Sequence, residues 1–126
     1  MRLIQTDKAP IPAGHYSQAV VHGDTVYVAG LVPVEAGTNN KVFGEIEVEA
    51  AQVFRNLEAI LSAAGSNRAQ VLRCTVYITD IGLWPRFNAA YAAFFGDHKP
   101  ARTVVPVPEL HHGFKVELDA VAFVKA

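Results

Sequence analysis

Lys99-Pro100-Ala101-Arg102-Thr103-Val104-Val105 sets an arginine at the head of a strand, directly after a helix that Gly96 and Pro100 stop. A guanidinium carried on so rigid an element can hold a small carboxylate in one orientation through a two-pronged hydrogen bond. The last strand reads Lys115-Val116-Glu117-Leu118-Asp119-Ala120-Val121. Its carboxylates alternate with apolar residues, so Glu117 and Asp119 project from one face of the sheet. An arginine to grip an acid and a glutamate to handle water or a proton describe a site for a small anionic substrate.

Each of these residues has a plainer reading. Arg102 reads equally as an ion-pair residue at a surface or interface, and Glu117 and Asp119 as the solvated face of an edge strand. Cys74 lies between Leu72 and Val76 on one side of its strand, which is a packing position. The pair His111-His112 has no evident third ligand for a metal and defaults to a solvated loop. His15 and His22 flank turns and read as surface groups. Ser17 lacks the G-x-S-x-G setting of a nucleophile elbow. No G-x-G-x-x-G, Walker loop or zinc signature occurs, so nothing implies a nucleotide or metal cofactor.

The elements that must position these groups alternate along the chain. Ser17 to His22 and Thr25 to Ala29 form a hairpin about His22-Gly23-Asp24-Thr25. From about Val48 to Ala64, Ala50, Phe54, Leu57, Leu61 and Ala64 recur at steps of four and three, the mark of an amphipathic helix, which Gly65 ends. Val71 to Thr79 is a strand. A second helix runs from Trp84 to Phe95, with Pro85 tolerated in its first turn. Thr103 to Val107 and Lys115 to Val124 are further strands, joined by the Pro108 to Phe114 loop. The order ββαβαββ implies an α+β fold: one mostly antiparallel sheet with both helices on one face. Val26-Tyr27-Val28-Ala29 and Val121-Ala122-Phe123-Val124 are apolar at consecutive positions, so the other face also carries apolar groups and calls for a second subunit.

Composition sets the bounds. A chain of 126 residues reads as one domain, 1–126, long enough to fold without disulfides. Eleven Lys+Arg against twelve Asp+Glu leave it near neutral, which gives RNA binding little support. A single cysteine excludes an internal disulfide framework and suits a reducing cytoplasm. The N-terminus lacks the apolar stretch of a signal peptide and no run approaches a membrane span, so the expectation is a soluble cytoplasmic protein. The apolar share is nonetheless high, 51% with a mean hydropathy of +0.19, and that surplus has to be buried.

Several motifs in series carry a resemblance that covers essentially the whole chain. Ala13-Gly14-His15-Tyr16-Ser17-Gln18-Ala19-Val20 resembles the G-x-Y-S-Q-A signature of the reactive intermediate deaminase family, the RidA/YjgF-like proteins. Asn56-Leu57-Glu58-Ala59-Ile60-Leu61-Ser62-Ala63-Ala64-Gly65 resembles its first-helix motif, and Thr75-Val76-Tyr77-Ile78-Thr79-Asp80 its central strand. Phe87-Asn88-Ala89-Ala90-Tyr91 and Pro100-Ala101-Arg102-Thr103 complete the match. The resemblance implies a chorismate-mutase-like fold, a homotrimer with sites between subunits, no cofactor, and hydrolysis of 2-imino acids to 2-keto acids and ammonia. It also implies roles: Arg102 for the substrate carboxylate, Glu117 for water, and Tyr16, Asn88, the backbone of Gly30 and the region of Val104 for the pocket. Family members have also been described as endoribonucleases or translation inhibitors, and a non-catalytic module that binds small carboxylates is a third reading. The chain departs from the family pattern at Ala29 and Leu31, where Ser and Gln are usual, at Val104, where Cys is frequent, and in the Pro106 to His112 stretch.

Overall fold

A computed structural model describes residues 1–124. The strands are β1 (Arg2–Ile4), β2 (Ala19–His22), β3 (Thr25–Leu31), β4 (Val71–Ile78), β5 (Ala101–Pro106) and β6 (Val116–Phe123), with helices α1 (Ile46–Ala63) and α2 (Trp84–Phe95). They form one sheet in the order β1-β2-β3-β6-β4-β5. The pair β4 and β5, linked through α2, runs parallel, and every other neighbour pair is antiparallel.

Both helices cover one face. On β6, Val116, Leu118, Ala120 and Ala122 are buried while the residues between them are half-buried, so strict alternation separates a core side from an open side. Helix α1 sends Ile46, Ala50, Val53, Leu57, Ile60 and Leu61 into that core. Helix α2 sends Phe87, Tyr91 and Phe95, spaced by four, and ends at Gly96, whose φ of 64° a side chain would resist. Phe54 of α1 stacks on Phe94 with ring centroids 4.5 Å apart and meets Phe95 edge-on at 6.4 Å, which seams the helices together. Arg86 also pairs with Glu45 and Glu47 across the helix starts, at 2.9 and 2.6 Å. Those exposed pairs contribute about 1 kcal/mol or less, whereas each large buried side chain contributes about 1.5–3 kcal/mol, so the aromatic seam dominates.

Three differences from the sequence reading have local causes. Strand β1 is additional, since three residues are too few to show an alternating pattern; it pairs Leu3 with Val20. Strand β2 starts at Ala19 rather than Ser17, because the Gln18 side chain is taken up by the N-terminal loop. Leu72 does not share a side with Cys74: the register shifts between Val71 and Arg73, which turns Leu72 out to 49% exposure while Val71 and Cys74 stay buried. Among the described residues no helix is long and apolar enough to cross a membrane.

Candidate functional site

The site residues named from the sequence fall into two groups. The first surrounds a cleft of about 550 Å³ between the N-terminal loop and the end of β3. Tyr16 and Gly30 line it, with Ala29, Leu31, His111 and His112. Glu117 stands on the open face of β6, opposite Tyr77, with its carboxylate against Gly30. The fit leaves no room: a methyl group on Gly30 would lie 2.3 Å from Glu117 Oε2. A register shift in the β3–β6 pairing between Val28 and Leu31 brings this glycine there. Burial raises the Glu117 pKa above the usual carboxylate value; the charge of His111 opposes the rise and that of Asp119 adds to it. Asp119 shares the face, as expected, and accepts from the Tyr77 hydroxyl at 3.2 Å.

The second group lies at the β5 edge under α2. Arg102, the second residue of β5, points toward the helices, the side to which its neighbour Cys74 is turned. Its guanidinium carbon sits 4.6 Å from the Trp84 ring centroid and 4.8 Å from that of Tyr91, and Nη1 donates to Asn88 Oδ1 at 2.8 Å. Stacking and one amide thus fix the plane of the fork. Among the described residues Arg102 forms no ion pair, so no carboxylate neutralises its charge. Val107 N donates to Ile78 O. Alternation along a parallel ladder then turns the N–H of Val105 inward and that of Val104 to the free edge, beside Arg102. Tyr91 is a rigid floor: its hydroxyl is buried without a hydrogen-bond partner among the described residues, and burial holds it protonated.

One copy of the chain does not join the two groups. Arg102 is in register with Cys74 and Glu117 with Tyr77, on strands either side of β4. Two strand spacings and three residue steps put their Cα atoms roughly 14 Å apart, on opposite faces of the sheet. Cys74 is a packing residue, its thiol pushed up to about 11 chiefly by burial.

Sequence reasoning missed the residues that shape the cleft. Gln18 accepts from Thr6 N–H at 2.8 Å and donates to the Thr6 and Pro10 carbonyls at 3.0 and 2.9 Å, pinning the loop that carries Tyr16. Buried Asn56 donates to the carbonyls of Val32 and Val34 at 3.4 and 2.9 Å and accepts from Gln52. Asn39, at φ 57°, donates to the Ile11 carbonyl at 3.2 Å and ties the two walls together. The available signal was the pair of amides in apolar surroundings, Gln18 and Asn56, since a buried amide must find partners; exposed Asn39 gave none. His111 and His112, expected as a solvated loop, are exposed but line the cleft, in a turn where His112 adopts φ 58°.

The model of the family described as Endoribonuclease L-PSP matches residues 6–124. A RutC family protein of Pyrococcus horikoshii is 39% identical over 121 residues, covering 96% of each chain. A protein of Dermatophagoides farinae named 2-iminobutanoate/2-iminopropanoate deaminase is 36% identical, covering 98% of this chain and 97% of its own. The crystal structure of RidA from an Antarctic Psychrobacter superimposes with a TM-score of 0.94 at 36% identity, covering 98% of this chain and all of the other. With the family model spanning nearly the full chain and both fold and sequence in agreement, the protein belongs to the Endoribonuclease L-PSP (RidA/YjgF) family.

Proposed function

We propose that the protein hydrolyses 2-imino acids to 2-keto acids and ammonia, at sites formed where the Arg102 edge of one copy meets the Glu117 cleft of another in a homotrimer. The observation that carries this reading is the division of labour between an arginine without a carboxylate partner and a desolvated carboxylate that one chain keeps apart. The name of the Dermatophagoides farinae relative, 2-iminobutanoate/2-iminopropanoate deaminase, supports the same chemistry.

The reaction makes modest demands. A protonated imine is already electrophilic, so orientation and a placed water supply most of the acceleration. The Arg102 fork and the Val104 N–H bind the carboxylate. Glu117, its pKa raised by burial, takes a proton as water adds to C2. It returns that proton to the nitrogen of the resulting carbinolamine. The C2 hydroxyl then gives its proton to Glu117 as the C–N bond breaks, releasing ammonia and leaving the 2-keto acid. The ring of Tyr16 and the Gly30 backbone shape the space around C2.

The test follows keto acid from 2-iminobutanoate, made in situ by an amino acid oxidase, above the uncatalysed rate. Wild-type acceleration that falls about 10²–10⁴-fold in Glu117→Gln is expected. A wild type that accelerates no imine overturns the reading in favour of a carboxylate-binding module, and RNA cleavage under the same conditions would favour the endoribonuclease one.

A further inference from the structure

In one chain, before the Arg102 edge of another copy closes it, the cleft is larger than a four-carbon acid needs, since cavities of roughly 300–1,000 Å³ ordinarily enclose ligands of drug size. Its chemistry is graded. Leu31, Val32, Val34 and Ile60 give it an apolar wall, while Lys41, His111 and His112 are exposed along its rim. Glu117 stands at the Gly30 end; no other Asp or Glu is placed at the cleft, and Lys41 forms no ion pair among the described residues. Lys41 is also held in place. Its backbone bridges to Val34, and Val42 N donates to Pro33 O at 2.8 Å, so the ammonium rises from a small hairpin rather than a loose loop. Gln18, Asn39 and Asn56 spend their hydrogen bonds on the surrounding backbone, so the space is pre-formed.

An apolar wall with Lys41 on its rim, away from any carboxylate that pairs with it, fits a chain of several carbons that ends in a negative charge. Resting on the deaminase reading above, we propose that the preferred substrates are 2-imino dicarboxylates: the 2-carboxylate goes to Arg102, the chain lies along the half-exposed Val32 and Val34, and the distal carboxylate pairs with Lys41 beside His112. The atoms exchanged are those of the same hydrolysis. The cleft selects the substrate and adds no chemical step.

The experiment compares 2-iminobutanoate, 2-iminohexanoate and 2-iminoadipate, each generated in situ from its amino acid by excess oxidase. Iminohexanoate and iminoadipate have equal chain length and differ at the far end. A kcat/KM for iminoadipate about tenfold above that for iminohexanoate is expected. Lys41→Ala should cut this ratio about tenfold, and Lys41→Arg should keep most of it. Equal or better use of iminohexanoate by the wild type, or a ratio that Lys41→Ala leaves untouched, overturns the proposal. If no imine is hydrolysed, the deaminase reading fails by itself, and calorimetry with 2-oxoadipate decides the cleft: Lys41-dependent binding sustains the dicarboxylate assignment, and its absence ends it.

Discussion

At Gly30 and Glu117 the requirement is steric. Gly30 needs no unusual backbone angle; what it lacks is a Cβ, and a Cβ there would strike the Glu117 carboxylate. Gly30→Ala should therefore fold with little change in melting temperature yet lose turnover about tenfold or more, because a displaced catalytic group costs disproportionately. Wild-type kinetics in that variant would separate Gly30 from the catalytic geometry. Glu117 also makes a prediction about stability. Its folded pKa is raised, so the folded state disfavours the ionised form, and the penalty grows as pH rises from the unfolded value near 4.3 through the folded one. Glu117→Gln should raise the melting temperature at pH 7–8, and the gain should vanish near pH 4. A gain that is the same at both pH values would refute the desolvation account. Arg102→Ala should weaken 2-keto acid binding about ten- to a hundredfold, the loss of a charge-assisted contact of about 1.5–3 kcal/mol, as read by calorimetry. Arg102→Lys should recover only part of it, since lysine stacks poorly and has no planar fork.

Helix α1 does two jobs at the scale of elements. Its apolar stripe fastens it to the sheet, and its buried polar residues fasten the loops to it. Glu49, fully buried in its first turn, accepts from Lys115 N–H at 2.8 Å and from Lys115 Nζ at 3.3 Å, fixing the approach to β6 two residues before Glu117. Asn56 similarly holds the end of β3 and the hairpin that bears Lys41. Asn56→Ala leaves the Val32 and Val34 carbonyls and the Gln52 amide without their partner, so it should cost about 1–3 kcal/mol in denaturant unfolding. It should also speed amide exchange across residues 32–42 more than in α2. Uniform exchange changes would show that Asn56 supports the whole core rather than the cleft wall.

For the whole molecule the open face of the sheet decides the behaviour. Tyr27 is 51% exposed there and stands opposite Val121, with Val20 and Phe123 nearby on the same side. In the proposed trimer a neighbouring copy covers that surface. Sedimentation should give a mass three times the 13.6 kDa of one chain. Val121→Asp should yield monomers with native helical signal and no turnover, because each copy holds only half of the proposed site. Activity in a monomeric variant would contradict a site shared between copies.

Much of this was legible in the chain itself. Periodicity located α1 to within two residues at its start and α2 at both ends, because the stripes of apolar residues in both are long and regular. Alternation in β6 correctly put Glu117 and Asp119 on one face, and the serial motifs identified the family. Tertiary structure alone decided the rest. A three-residue strand carries too little pattern to be seen, and a register shift such as the one that turns Leu72 outward depends on how β4 is paired with β6. The cleft depends on partners far apart in sequence: Asn56 reaching Val34, Asn39 reaching Ile11, and Gly30 making room for Glu117. The separation of Arg102 from Glu117 is of the same kind, since side-chain alternation within each strand says nothing about which strand lies between them.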